Sequence, residues 1–217
     1  MNKLIITLLL SSFSLGLMAQ VGVKAGVNFT NMVFEEDETG IQDLARTGAT
    51  NYSIGVEFIL PLGDVLALQP ELLYAKKGAE SSYTVLGQTF SSTFSYNYLD
   101  IPLMLRFSLG NTHGEGLGVY INAGGYGAYA INGKSTSVTP LLTTETDLTF
   151  DEIDDQKRLD YGFVGGGGIT LGNLFFEVRY QHGINNLLDD DANNNNDNNK
   201  FSKLQHRGIG LNLGVIF

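Results

Sequence analysis

Charged side chains that alternate with apolar ones are the most prominent chemical feature of this 217-residue sequence. In LFFEVRYQ, Glu177 and Arg179 alternate with apolar residues. Glu71 in LQPELLY and Arg106 in LDIPLMLRF likewise have apolar neighbours on both sides. Charges that leave water must pair, because an isolated buried charge is very costly. The pattern predicts a polar network on one face of a sheet, made of Lys24, Glu57, Gln69, Glu71, Asp100, Arg106, Tyr120, Asn122, Glu177, Arg179 and Asn212.

This network has two interpretations. Its three cations and four anions nearly balance, which favours a plug of paired charges. The alternative is a narrow path for ions or a site for a small ligand.

Histidines offer a second kind of chemistry. His182 and His206 fall near the ends of two stretches that could be neighbours, and 189–191 is an Asp triplet. Together they could form a metal site or an acyl-transfer site. No Ser stands at a recognisable spacing, so we predict no catalytic residues and no enzyme.

Residues 189–200, DDDANNNNDNNK, suggest a calcium loop. The match to the helix–loop–helix calcium pattern fails, because Asn194 replaces the glycine and Lys200 replaces the final glutamate. Asn/Asp-rich low complexity more often marks a disordered loop. We predict no cofactor and no dedicated metal site, and weak divalent-cation binding remains an alternative.

Bulk composition limits the function further. The net charge is −10, which argues against nucleic acid as a partner. There is no Cys, so disulfides and thiolate metal sites are excluded. Lys3, the apolar run 4–17 and Ala19 predict a secretory signal peptide over 1–19.

Eight stretches alternate with a period of two, as strands between two different environments do. They are 21–29, 51–60, 66–74, 99–107, 119–129, 161–171, 174–181 and 208–217. Each is close to the roughly 9 to 11 residues that a tilted strand needs to cross a bilayer.

The connections alternate between long and short. Segments 30–50, 78–94, 130–160 and 184–204 are long and polar, whereas 61–64, 109–116 and 171–173 are short. Most of the 23 Asp and Glu residues fall in the long segments. Short periplasmic turns and long extracellular loops are typical of outer-membrane barrels.

An open sheet leaves unpaired backbone groups, which hydrocarbon does not tolerate, so the eight strands must close. We therefore predict an all-β fold over 20–217: an eight-stranded antiparallel up-and-down transmembrane β-barrel of OmpA/OmpX-like size in the cell outer membrane. Val56, Ile101 and Leu211 should face lipid, with Glu71 and Arg179 inside. A secreted lipocalin-like barrel would have the reverse arrangement.

Aromatic residues on the apolar face of the strands should form two girdles, one at each membrane interface. The predicted outer girdle is Phe29, Tyr52, Tyr74, Tyr129, Tyr161 and Tyr180, and the inner one is Phe58, Phe107, Phe176 and Phe217.

Glycines and prolines raise separate expectations. Glycines 124, 125 and 127 should lie across from 165–168, with Tyr120 or Tyr126 over the bare backbone, or else a small cavity or lateral opening there. Pro70 and Pro102 should cause bulges or place their nitrogens outside the pairing.

Six segments occur in order: VGVKAGVNFTNM, LQPELLYAKKG, YLDIPLMLRF, VYINAGGYGAY, DYGFVGGGG and FFEVRYQHGINNL. Together they resemble the PorT-like outer-membrane β-barrel family of Bacteroidetes-type bacteria, over nearly the whole chain after residue 19. The resemblance implies an eight-stranded outer-membrane barrel. The family's founding member is linked to protein secretion, but no residues here are identified with that role.

The favoured function is a structural or interaction role. The alternatives are a narrow porin-like channel and a lipid-modifying enzyme. The expected partners are outer-membrane lipid and lipopolysaccharide, with a protein partner at the extracellular loops, and the chain is expected to be a monomer.

Overall fold

Nine antiparallel strands make up the fold. The computed structural model describes residues 19–36, 46–85, 88–110, 116–148, 157–187 and 201–217. The strands are β1 (Gln20–Glu36), β2 (Arg46–Pro61), β3 (Leu66–Val85), β4 (Gln88–Gly110), β5 (Leu117–Val138), β6 (Thr143–Leu148), β7 (Leu159–Leu171), β8 (Leu174–Gly183) and β9 (Phe201–Ile216). Within these residues no helix is both long and apolar enough to cross a membrane. The predicted signal peptide lies almost wholly outside the described residues and stays a prediction.

Eight of the strands close into a ring in the order β1, β2, β3, β4, β5, β7, β8, β9, and β9 pairs back with β1. The ninth strand, β6, pairs with the far end of β5 and stands outside the ring. Closure leaves no open edge in the ring, which is the condition for a sheet in hydrocarbon. The predicted eight-stranded barrel is confirmed, including its seam between the first and last strands.

The barrel is apolar outside and polar inside. Ile101 is 53% exposed, while Glu71 and Arg179 are only 2% and 7% exposed. All ten residues of the two predicted aromatic girdles are exposed. This polarity is the one expected for strands in lipid, and it rules out the lipocalin-like arrangement.

The two ends of the barrel differ in the length of the connections between their strands. At one end the strands are joined by short turns: Pro61 to Leu66, Gly110 to Leu117 and Leu171 to Leu174. At the other, which we call the long-hairpin end, β3 and β4 remain paired up to Val85 and Gln88. The prediction of a loop over 78–94 is therefore wrong.

A second extension at the long-hairpin end comes from β5 and β6, which pair from Gly133–Leu148 to Val138–Thr143. The predicted loop 130–160 is therefore partly strand. Polar and Ser/Thr-rich sequence hid these strands, because a sheet wet on both faces lacks hydrophobic alternation.

The prolines interrupt the ladder without a bulge. Pro70 pairs with Leu103 and Leu73 with Asp100 in one unshifted register, and the two positions between them are skipped. Pro102 still has a partner on its β5 side. Pro102 is one of the positions skipped on the β3 side. Pro70 is skipped on the β2 side, between the pairs Glu57–Glu71 and Leu60–Leu68. Each proline therefore falls in a gap of the pairing, the second of the two expected outcomes.

The predicted apposition of two glycine runs is wrong. Gly124 lies across from Val164 and Gly125 across from Phe163. The expected aromatic cover is confirmed at one place: Tyr120 pairs with Gly168, where an added Cβ would lie 2.6 Å from the Tyr120 hydroxyl. The ring therefore packs directly on this backbone.

Candidate functional site in the barrel interior

The Lys24 ammonium lies at the centre of a buried charge layer. Its Nζ is 2.7 Å from Glu71 Oε1, 3.3 Å from Glu57 Oε2 and 3.7 Å from Glu177 Oε1. These carboxylates come from β2, β3 and β8, so one side chain from β1 connects three other strands. The alternating pattern of the strands places all four side chains inward.

Arg179 crosses the interior to reach Glu71. Its two Nη atoms each donate a hydrogen bond of 2.8 Å to one carboxylate oxygen. The strands β8 and β3 are four steps apart in the eight-stranded ring, so they lie on opposite walls. Arg179 also contacts Glu177 at 2.8 Å. A two-pronged guanidinium–carboxylate pair therefore spans the lumen, in the geometry that makes such pairs strong.

Arg106 is the third cation of this layer. It lies 3.8 Å from Glu57 and stacks with its guanidinium carbon 3.6 Å from the centre of the Tyr120 ring. Amides complete the layer: Asn122 and Asn212 donate to Glu177, and Gln69 donates to Glu71 at 2.7 Å. Three cations thus face three carboxylates in this layer.

All eleven residues of the network predicted from sequence are buried. Ten of them lie in the layer around Lys24, which we call the central layer. Asp100 is the exception and belongs to a second layer nearer the long-hairpin end, which we call the upper layer.

The upper layer is built around Lys77. Its Nζ lies 3.1 Å from Asp160 Oδ2 and 3.3 Å from Asp100 Oδ2, and 4.6 Å from the centre of the Tyr126 ring. The Tyr126 hydroxyl donates to Asp160 at 3.1 Å, and His206 Nδ1 lies 3.3 Å from the same carboxylate. Side chains from β3, β4, β5, β7 and β9 meet here.

Sequence reasoning missed most of this upper layer. Asp160 ends the predicted loop 130–160, but it is fully buried at the start of β7. Lys77 falls between the predicted strand 66–74 and the predicted loop 78–94, and it is absent from the predicted network. Extending the inward parity of Glu71 by six residues would have found Lys77, and extending that of Val164 back by four residues leads to Asp160.

The two histidines do not form one site. His206 faces the interior, with its ring centre 5.7 Å from that of Tyr98. His182 faces outward and lies 3.2 Å from the Tyr180 hydroxyl. Residues 189–191 lie outside the described residues, and the described part of the chain contains no cluster of three metal-ligating side chains. The two strands are neighbours, with His182 paired to Arg207, but the two histidines point to opposite faces, so the described residues do not form the combined site.

Apolar side chains and a small cavity accompany the two charge layers. An apolar cluster of Ile59, Ala67, Phe175 and Ile216 lies at the short-turn end. A cavity of about 30 Å³ separates the central and upper layers, with Lys77, Arg179 and Gln181 in its lining. That volume suits a single water molecule.

This fold and interior agree with the sequence family. A family model described as an outer membrane protein beta-barrel domain matches residues 11–189. The chain belongs to this outer membrane protein beta-barrel domain family. It is an outer-membrane protein, and its apolar exterior agrees with that location. No protein among those with curated functions matches the sequence.

Solved outer-membrane barrels are similar at low sequence identity. Ail of Yersinia pestis is 11% identical, with 92% of this chain and 99% of that chain covered, at a TM-score of 0.42. Neisserial surface protein A is 9% identical, with coverages of 91% and 97% and a TM-score of 0.43. The N-terminal barrel of Pseudomonas aeruginosa OprF is 13% identical, with the same coverages and a TM-score of 0.33.

In this outer membrane beta-barrel family protein, the buried acids and cations of the two layers contact one another. Each acid in the two layers contacts a cation, and each layer contains donors from several strands. An eight-stranded barrel is just wide enough for its side chains to fill. The arrangement can tie opposite walls of the barrel together.

Proposed function

We propose that this protein is a closed outer-membrane barrel with a structural or interaction role, and that it is neither a channel nor an enzyme. The contact between Arg179 and Glu71 across the full width of the lumen carries this proposal. A solute on the barrel axis would have to separate that pair. Breaking a buried pair costs about 3–5 kcal/mol, so the barrier is substantial.

Two further barriers support closure. The upper layer places Lys77 against carboxylates from β4 and β7, and the apolar cluster around Phe175 fills the short-turn end. An ion would therefore meet two paired charge layers and then an apolar constriction. Ions cross such apolar segments only at a large desolvation cost.

The interaction role belongs to the long-hairpin end, which we place outside the cell because outer-membrane barrels carry their longer connections there. The β5–β6 hairpin presents Glu145 and Asp147 to solvent, and Leu141 at its tip is 98% exposed. An acidic surface around an apolar tip suits a protein partner with a basic rim. The barrel itself is proposed to act as a monomer.

We place the protein in the PorT-like branch of outer-membrane barrels. The segments LQPELLY and YLDIPL support this placement, and they form adjoining parts of β3 and β4. The placement assigns no role in secretion, since function depends on particular sites rather than on the fold.

A narrow channel is the second candidate, favoured by the cavity between the two charge layers. Single-channel recording in planar bilayers separates the two, with a known porin as the positive control. The closed barrel should show no regular conductance steps once heat-modifiable gel mobility has established that it is folded. Steady, ion-selective steps from the folded protein would overturn the proposal. Lipid analysis of membranes with and without the protein tests the enzymatic alternative, and we expect no change.

A further inference from the structure

Strand β6 lies at an edge of the sheet beyond the barrel. Within the described residues it pairs with β5 alone, from Val138–Thr143 to Gly133–Leu148. The same stretch of β5 pairs on its other side with β4, and β4 pairs with β3. The four strands therefore form a sheet that extends past the ring, and its last strand has a side turned away from β5, which we call the β6 edge.

The turn of the β5–β6 hairpin shows which backbone groups point to the β6 edge. Thr139 and Leu142 exchange two backbone hydrogen bonds, of 2.9 and 3.3 Å. In an antiparallel ladder, pairs that exchange hydrogen bonds alternate with pairs that do not. Because the register is unshifted, alternate residues of β6 turn their N–H and C=O groups away from β5. These edge-facing residues are Thr143, Glu145 and Asp147.

The β6 edge has none of the features that commonly prevent an edge strand from pairing with another chain. Such strands are often very short, bulged or supplied with Lys or Pro. β6 has six residues in a regular register, three of them Thr and none Lys or Pro. The side chains of 143–147 are all exposed. The edge is therefore open to one more strand.

Charge on the edge-facing residues determines which strand would fit. Glu145 and Asp147 are two residues apart, so their side chains lie on one face of the sheet. Lys134 of β5 contacts Glu145 at 2.8 Å and pairs in register with Asp147, so one cation serves two acids. In an added strand, the residue directly opposite an edge-facing residue shares its face. A basic residue there would balance the remaining negative charge.

A second copy of this chain does not fit the same edge. When two β6 edges pair antiparallel, edge-facing residues lie opposite edge-facing residues, because only these have backbone groups on that side. In the registers that pair most of β6, Glu145 lies opposite Glu145 or Asp147 of the other copy. Like charges directly opposite each other destabilise a sheet. The repulsion favours a basic chain over a second copy.

We propose that the β6 edge binds an extended segment of another protein, which adds to the sheet as a strand and has Lys or Arg at every second position. This inference rests on the proposed interaction role of the long-hairpin end and names its partner. Backbone hydrogen bonds to the edge-facing residues supply affinity, and the basic side chains opposite Glu145 and Asp147 supply specificity. Since β5 already holds β6 in place, little ordering is needed on binding.

Amide hydrogen exchange, followed by NMR on the folded protein in zwitterionic detergent, tests the proposal. The probe is a capped hexapeptide in which Lys and Thr alternate. Without peptide, the amides of the edge-facing residues should exchange as solvent-exposed groups do, whereas those of Thr144 and Thr146 should be protected by β5. Saturating peptide should slow exchange of the edge-facing amides by roughly tenfold or more. It should leave Thr144 and Thr146 unchanged.

Two N-methylated peptides of equal charge separate strand addition from simple charge attraction. One is methylated on its Lys amides and the other on its Thr amides. Alternate amides of an added strand face β6, so only one of the two peptides should bind. A hexapeptide with Glu in place of Lys should bind about tenfold more weakly, because its charges would meet like charges.

Variants of the protein test the charge. Asp147→Asn should weaken binding of the Lys/Thr peptide about threefold, as expected for an exposed ion pair. The matched control is Asp64→Asn, which removes an exposed carboxylate at the short-turn end and should leave binding unchanged. Gel mobility checks that each variant is folded, and the peptide comparisons need no variant.

Equal binding of the two N-methylated peptides would overturn the proposal, and so would equal binding of the Glu and Lys peptides. Edge-facing amides that are already protected without peptide would overturn it as well, because the edge would then be covered. A dimeric mass in ultracentrifugation would identify a second copy as the cover. Conductance steps would contradict the closed-barrel function without altering the peptide result, so the two failures are distinguishable.

Discussion

Arg179 on β8 and Glu71 on β3 lie on opposite walls of the barrel, yet they share two hydrogen bonds of 2.8 Å. Neighbouring strands are already held by backbone pairing, so a side-chain contact between them adds little to the architecture. A contact between opposite walls fixes the width and cross-section of the cylinder. Lys24 strengthens the same point, since it contacts Glu71 from a third strand.

Removing Arg179 should therefore be strongly destabilising. Arg179→Met leaves Glu71 and Glu177 with Lys24 as their shared cation, and we expect the free energy of unfolding to fall by about 3–5 kcal/mol. Urea titration of the folded barrel in lipid vesicles measures this change. The double variant Glu71→Gln/Arg179→Met should lose clearly less than the sum of the two single variants. Strict additivity would show that the pair does not couple the two walls.

The cost of placing a charge on the lipid-facing side of β4 should depend on its depth in the bilayer. Leu103 is 52% exposed. It lies midway between Leu99, which pairs with the outer-girdle residue Tyr74, and Phe107 in the inner girdle. Leu103→Arg should cost about 2–4 kcal/mol, because the charge would sit at the bilayer midplane. Leu99→Arg, the matched control at the interface, should cost about 0–1 kcal/mol. Equal costs at the two depths in the same vesicle titration would contradict the proposed position of the membrane.

The packing of Tyr120 on Gly168 gives a steric prediction. A Cβ at Gly168 would meet the Tyr120 hydroxyl at 2.6 Å, and the ring is held between that strand and Arg106. Gly168→Ala should therefore destabilise the barrel by about 1–3 kcal/mol through overpacking. A Cβ at Gly127 would meet nothing within 4 Å, so Gly127→Ala should be neutral or slightly stabilising. Little or no loss from Gly168→Ala would show that the interior can rearrange around Tyr120.

Sequence alone predicted the barrel because lipid imposes a strict alternation on strands that cross it. Ile101, Leu103 and Leu105 are apolar and exposed for one reason, and the residues between them are inward for the same reason. The residues of the central layer could be predicted from that alternation. The contacts between them could not, because the contact of Arg179 with Glu71 depends on the closure and stagger of eight strands rather than on either local sequence.

Beyond the membrane this constraint disappears. Lys77 lies beyond the predicted strand 66–74 and Asp160 lies within the predicted loop 130–160, because the strands continue past the point where lipid enforces alternation. The partnership of His206 with Asp160 joins β9 to β7, two steps around the ring, and no local pattern specifies it. The register between the glycine-rich strands β5 and β7 could not be predicted either, since glycine runs contain no side chains that distinguish one alignment from the next.

The β5–β6 hairpin gives a prediction about pH. Lys134 donates to Glu145 at 2.8 Å, and this contact lowers the pKa of the Glu145 carboxyl from its ordinary value of 4.5. A carboxyl with a lowered pKa stabilises the hairpin while it is ionised, so this contribution is present above about pH 4.5 and is lost as the pH falls through the lowered pKa. NMR titration of Glu145 should give a midpoint below 4.5, and Lys134→Gln should move it upward. High salt should shift the wild-type midpoint in the same direction, because the pair is fully exposed to solvent. A midpoint that does not respond to Lys134→Gln would show that the two side chains do not interact in solution.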